Sequence, residues 1–317
     1  MTLAIGVDVG GTKVLGALVD DGGEVLAQEK RSTPPQDGPG AASAVVETVV
    51  AVVTALAAGR DVDGVGVAVA GRVDPDRHHV RSAANLGWDH QPLAAAVESA
   101  TGLRTVVEND ANAAAWAEHR YGAGVGVDDL VVVTVGTGIG GALVLGGRLH
   151  RGASGSGGEI GHAVHVVDGL PCGCGRTGCF EQYASGRALV REARALAAER
   201  PDDAALLLSL AGSVDAVSGH HVTAAAVDGD PVARLAFQRI GDHLGRGLAD
   251  LAEVLDPRAF VVGGGVSDAG DLLLQPARAA LARELPDWSP DDVPAVLRAA
   301  LGTGAGAVGA ADLARRR

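Results

Sequence analysis

Apolar positions fall into short β-type runs, longer helical runs and glycine turns along the whole chain. Leu3–Val9, Val14–Val19 and Glu24–Lys30 predict three strands, with Asp20-Asp21-Gly22-Gly23 as a hairpin turn between the last two. Ala41–Ala58 predicts a helix and Val62–Ala70 a strand ending at Gly71. A polar loop with Asn85-Leu86-Gly87-Trp88 follows, then a helix near Pro92–Thr101. Leu103–Val107 reads as a strand by its β-branched content, and the Ala-rich Ala111–Tyr121 as a helix. Asn109 or Asp110 therefore takes the N-cap where strand turns into helix. This βββαβα order implies a mixed sheet flanked by helices.

The design then recurs. Val131–Val135, the turn Gly136-Thr137-Gly138-Ile139-Gly140-Gly141, Ala142–Leu145 and Gly146-Gly147 repeat the opening pattern. The tetrapeptide Gly-Ala-Leu-Val occurs at Gly16–Val19 and again at Gly141–Val144. Internal duplication is a more specific signal than either glycine loop. Helices are expected over Arg187–Arg200 and Pro231–Leu255, the latter started by Asp230-Pro231. In it Ala236, Ile240, Leu244, Leu248, Leu251 and Leu255 form a stripe for burial. Ala259–Val262 predicts a strand ending in Gly263-Gly264-Gly265, and Gly304–Leu313 a closely packing small-residue helix.

Composition narrows the function. A chain of 317 residues has room for two domains, and its net charge of −13 argues against nucleic acid or an anionic membrane as partner. With that net charge, a bound phosphate must rely mostly on local backbone amides; Lys13 and Lys30 are the chain's two lysines, and its other basic residues are arginines. Ala41–Ala58 is too short and too polar to span a bilayer. The strand Leu3–Val9 runs straight into a glycine turn, without the pattern of a signal peptide, and a cytoplasmic location is expected.

Four groups carry chemistry. A glycine pair between strands, as in Asp8-Val9-Gly10-Gly11-Thr12-Lys13, lets amides approach an anion; Thr12 adds a hydroxyl, Lys13 a charge, and Asp8 a place for water-held Mg²⁺. By itself this is equally an ordinary hairpin tip. Gly136–Gly141 offers a second such loop. Cys172, Cys174 and Cys179, the chain's three cysteines, lie with His162 ten residues upstream, a set that completes a closed tetrahedral zinc shell of structural type. Glu181 lies two residues past the last of them and Glu159 three before His162; each could accept from a sugar hydroxyl, and without the cluster each reads as an ordinary surface glutamate. Lastly, Asp110 sits where a helix dipole favours an ionised carboxylate ready to take a proton. On that segment alone, a capping role explains it better.

Taken together, Asp8–Lys13, Glu108–Asn112, Gly136–Gly141, Glu159–His162 and Cys172–Glu181 resemble the ROK family (repressor, open reading frame, kinase), nearest to its actinomycete-type glucokinases. The resemblance runs through essentially the whole chain. It implies an actin-like, hexokinase-like (ribonuclease H-like) α/β ATPase fold: two domains, each on a βββαβα unit, with a cleft that closes on substrate. The small domain would be residues 1–120 plus a C-terminal helix 302–317, and the large one 121–301 with the zinc loop. The implied activity is ATP-dependent phosphorylation of glucose at its 6-hydroxyl, a glycolytic step, with Asp110 as general base. Gly71, Asn85, Asn109, Glu159, His162 and Glu181 would line the sugar site. Gly11, Thr12, Lys13, Thr137 and Gly138 would hold ATP phosphates, Gly264 and Gly265 the adenosine, and Asp8 would face Mg²⁺. The zinc ligands would be His162, Cys172, Cys174 and Cys179. Relatives form dimers or tetramers, so a homo-oligomer is expected. The sequence departs from the family at Ala142, where a third glycine is frequent, and at Ala84, where proline often precedes the asparagine. A kinase for another hexose or amino sugar (fructose, N-acetylglucosamine, N-acetylmannosamine) shares these motifs, as does a polyphosphate-using relative. A sugar-sensing regulator would need a DNA-binding segment before Leu3.

Overall fold

The computed structural model describes residues 2–36 and 40–315. Residues 316 and 317 of the expected C-terminal helix lie outside them. In chain order the first half has β1 (Ala4–Val9), β2 (Lys13–Val19), β3 (Val25–Ser32), α1 (Ala41–Ala57), β4 (Val65–Val69), β5 (Arg72–Val73), β6 (Val80–Ala83), β7 (Trp88–Gln91), α2 (Leu93–Thr101), β8 (Thr105–Asn109) and α3 (Asp110–Tyr121). The second half has β9 (Leu130–Val135), β10 (Ile139–Leu145), β11 (Arg148–His150), α4 (Glu181–Ala184), α5 (Gly186–Glu199), α6 (Ala205–Ala211), α7 (Gly219–Val227), α8 (Pro231–Leu255), β12 (Ala259–Gly263), α9 (Asp271–Glu284), β13 (Ala295–Arg298) and α10 (Ala305–Arg315).

The duplication read from the sequence is visible in the sheets. One has strand order β3-β2-β1-β4-β8 and the other β11-β10-β9-β12-β13, the same permutation twice. In the first, β1–β2 and β2–β3 are antiparallel while β1–β4 and β4–β8 are parallel. In the second, β12 runs parallel to both β9 and β13. The stretch expected as a polar loop before α2 instead forms a small antiparallel sheet, β5-β6-β7. Its strands are only two to four residues long. That is too short for alternation to show as a pattern.

By its contacts the chain divides into two compact units: Met1–Asp128, Ala142–Gly158 and Ala299–Arg317 make one, and Asp129–Gly141 with Glu159–Arg298 the other. The first unit's core is valine-rich, with Val7, Val49, Val52, Val65, Val67 and Val107 fully buried. Each such side chain contributes about 1.5–3 kcal/mol. α10 lies against β1, β4 and α3, and its small residues permit this. A side-chain carbon on Gly66 would strike the Ala310 carbonyl, and one on Gly309 that of Ala113. Asp312 of α10, 5% exposed, accepts from Trp116 Nε1 at 2.7 Å and from the Tyr121 hydroxyl at 2.5 Å. Those bonds tie α3 to α10.

In the second unit α8 starts as its sequence predicts. Asp230 Oδ1 accepts the Ala233 amide at 2.9 Å and Pro231 opens the helix. Its buried stripe departs from expectation in the last turns. Ala236, Ile240, Leu244, Leu248 and Ala252 are buried, whereas Leu251 and Leu255 are half-buried. The packing follows a strict i+4 ridge, and Ala252 continues it where Leu251 does not.

Candidate active site

In the first unit the end of β8 and the start of α3 bring the key polar residues together. Asn109 is the helix N-cap, its Oδ1 accepting the Asn112 amide at 3.0 Å, and Asp110 opens the first turn. The capping explanation for Asp110 therefore falls away: its neighbour does that work. Asn109 Nδ2 donates to Asp110 Oδ1 and to the Gly71 carbonyl, both at 3.1 Å. Gly71 sits where β4 ends, and a Cβ there would meet Ser82 and Ala83 of β6 within 3 Å. Asn85 lies exposed in the 3-10 turn Ala84–Leu86 between β6 and β7.

The turn between β1 and β2 is closed by the Gly10 amide donating to Lys13 O at 2.9 Å. Thr33 takes up its carbonyls: the Thr33 hydroxyl donates to Gly10 O at 2.6 Å and its amide to Thr12 O at 3.1 Å. Among the described residues, the amides of Gly11 and Thr12 donate to no backbone carbonyl. Both residues are exposed, and the space beside Gly11 is open. This is a set of free donors suited to an anion. At the end of β1, burial lifts the Asp8 carboxyl to about 6; the charge of Asp110 adds to the lift and Lys13 opposes it. Two carboxylates that repel one another beside free amides are a donor set that suits a hydrated divalent cation.

In the second unit His162, Cys172, Cys174 and Cys179 place their ligand atoms within 4.8 Å of one another. Cys174 and Cys179 sulfurs are 3.6 Å apart, and Cys172 Sγ lies 3.7 Å from His162 Nδ1. A tetrahedral centre with bonds of about 2.3 Å separates two sulfurs by about 3.8 Å, so the residues fit zinc. The loop is braced by Arg176, which donates to the His162 carbonyl at 2.5 Å. Phe180, 3% exposed, packs on α8 where Gly247 leaves room for its ring. Glu181 adjoins this cluster: its Oε1 lies 3.0 Å from Cys172 Sγ and 3.8 Å from His162 Nδ1. The other oxygen, Oε2, occupies the space a side chain on Gly138 would need. The cysteine-rich loop and the second glycine loop thus meet at one carboxylate. Glu159 stands exposed just before the 3-10 turn Ile160–His162.

The same unit holds a cavity of about 780 Å³ lined by Gly136, Thr137, Gly265 and Val266 together with Arg187, Arg194, His220 and Thr223. Gly264 has φ +86°, and a Cβ on it would strike Val135; Gly265 faces open space. The walls from α5 and α7 were not foreseen. Periodicity marked Arg187–Arg200 as a helix, and α7 carried no signal beyond its serine cap.

A model of the ROK family matches residues 4–317. The chain belongs to the ROK family. A glucokinase from Streptomyces coelicolor is 46% identical over 318 residues, covering 99% of this chain and 98% of that protein. Among solved structures, a ROK family glucokinase from Streptomyces griseus in complex with glucose and AMPPNP is 51% identical, with a TM-score of 0.86 and 99% coverage of both chains. A ROK hexokinase from Thermus thermophilus is 36% identical, with a TM-score of 0.80, over 99% of this chain and 98% of that one. The actin-like, hexokinase-like ATPase fold expected from the motifs is the fold of this ROK protein. Among the described residues no helix is long and apolar enough to cross a membrane.

Proposed function

We propose that this ROK protein is an ATP-dependent glucokinase, transferring the terminal phosphoryl group of ATP to the 6-hydroxyl of glucose. The observation that carries the reading is the Asn109–Asp110 pair, built into a protein alike along its whole length to a glucose- and nucleotide-bound glucokinase. Phosphoryl transfer demands alignment and charge neutralisation rather than covalent chemistry. Asp110 takes the proton of the sugar hydroxyl, and Asn109 holds the Asp110 carboxylate in orientation. Gly71, Asn85, Glu159, His162 and Glu181 are the further sugar-site residues, accepting from or donating to hydroxyls. Gly11, Thr12, Lys13, Thr137 and Gly138 hold phosphates through amides, a hydroxyl and one ammonium charge. Gly264 and Gly265 admit the adenosine. Mg²⁺, near Asp8, would neutralise phosphate charge. Zinc on His162, Cys172, Cys174 and Cys179 would fix the loop that carries Glu181. The reading includes a small domain of residues 1–120 with the C-terminal helix, a large domain of 121–301, a cytoplasmic location and a homo-oligomer.

The test is a coupled assay with ATP and Mg²⁺ against glucose, mannose, fructose, N-acetylglucosamine and N-acetylmannosamine. Turnover on glucose well above that on the acetamido sugars supports the reading. Preference for an acetamido sugar moves the substrate and keeps the roles of Asp110 and zinc. No turnover on any sugar with ATP removes the kinase assignment for this donor.

A further inference from the structure

Behind Asp110 lies a charge cluster to which no role has been given. Glu108, the residue before the Asn109–Asp110 pair, is 2% exposed. Its Oε2 accepts from Arg151 Nε at 2.7 Å and faces Arg77 Nε at 3.5 Å. Its Oε1 accepts from Asn112 Nδ2 at 3.0 Å and from the Asn109 amide at 3.2 Å. All four partners are donors. Arg77 is fastened to the same strand by its backbone, its carbonyl accepting the Val107 amide at 2.8 Å. Among the described residues the Asn112 side-chain oxygen is buried with no hydrogen-bond partner, and its contact with Glu108 is made by the amide nitrogen. Asn112 in turn donates its backbone amide to Asn109 Oδ1.

We propose that Glu108 is a positioning residue for phosphoryl transfer: anchored by Arg151 and Arg77, it sets Asn109 and Asn112, and through Asn109 the orientation of the Asp110 carboxylate. The inference rests on Asp110 being the base. A buried carboxylate between two guanidiniums is a costly way merely to fill a core. Its value here is geometric, since a misplacement of about 1 Å in a reacting group costs on the order of 10²-fold in rate. Glutamine is nearly the same shape but cannot replace it. Whichever way the amide is turned, its NH₂ meets a donor.

The experiment is E108Q in the full-length enzyme, alone and combined with D110N, assayed with glucose and ATP beside circular dichroism and thermal melts. The expected result is a folded protein with kcat lower by roughly 10- to 100-fold, KM for glucose and ATP within about twofold, and little further loss when E108Q is added to D110N. Unchanged kcat in a folded E108Q overturns the proposal. So does an equal fractional loss in both backgrounds, which is the signature of a role that does not pass through Asp110. Should E108Q fail to fold, R151Q removes the shorter of the two ion pairs and leaves Glu108 to Arg77. It is expected to lower kcat with KM held, and unaltered kcat there overturns the proposal as well. The D110N arm separately tests the base itself: full activity in D110N alone defeats that reading and not merely this one.

Discussion

Asn109 caps the helix that Asp110 begins and, with the same side chain, donates to the Asp110 carboxylate at 3.1 Å. One residue therefore serves both stability and alignment, and substitutions separate the two. Asp110→Ala should fold and still bind glucose, with activity lower by about three orders of magnitude. Asn109→Ser keeps a capping oxygen but cannot reach Asp110, so its melting temperature should stay near that of the parent while kcat falls. Asn109→Ala loses both, and about 1 kcal/mol of stability with the cap. Melts and steady-state kinetics on the three variants check this; equal kcat in Asn109→Ser and the parent would show that the bond to Asp110 is idle.

The zinc loop is expected to act through Glu181. Cys174 is exposed, so Cys174→Ser disturbs little packing, yet it removes one of the four ligand atoms. Metal analysis should show lower zinc content, and KM for glucose should rise because Glu181 Oε1 has lost a fixed neighbour. Stoichiometric zinc in the variant, with unchanged KM, would count against both the ligand set and the coupling.

Much of this was legible in the residues, for physical reasons that differ by element. The glycine turns, the Cys-rich loop and the Asn109 cap are local, requiring few neighbours in sequence, and they sit where the spacing placed them. The duplicated sheet was legible because a repeated tetrapeptide marks equivalent strands. Glu108 with Arg77 and Arg151, and Asp312 with Trp116 and Tyr121, were not. Each joins residues 31 to 196 positions apart, and no periodicity announces such a pairing. The sheet β5-β6-β7 escaped because strands so short carry no alternation.

His165 and His243 share a hydrogen bond of 3.1 Å in the second unit, beside Tyr183 and Phe180. Burial, then the neighbouring His243 and Arg246, pushes His165 down to about 4, and burial with Arg246 lowers His243. A histidine with a depressed folded pKa takes up its proton first in the unfolded chain. Stability is then intact above about pH 6.5 and falls as pH drops towards 4. At pH 5 His165 already contributes to that loss, by less than the full shift implies because water screens a half-buried ring. His165→Gln should therefore lose less stability than the parent between pH 7 and pH 5. Urea melts at the two values check it, and parallel losses would remove the pair as a source of acid sensitivity.

Asp8 gives the opposite sign. Its carboxyl stands at about 6 against an ordinary value of 3.8, with burial as the main cause and Asp110 the next. The folded protein thus binds a proton more tightly than the unfolded chain. The resulting stability is complete below about pH 4 and is lost as pH rises through 6, leaving Asp8 a cost at neutral pH of at most about 3 kcal/mol. Asp8→Asn removes that cost. Its melting temperature should match the parent near pH 4 and exceed it at pH 8, while activity falls if the Asp8 carboxylate has the proposed place beside Mg²⁺. Because function and stability move in opposite directions, the outcome separates a functional carboxylate from a structural one. A variant less stable than the parent at pH 8 would mean that Asp8 is held by favourable partners and is no burden to the fold.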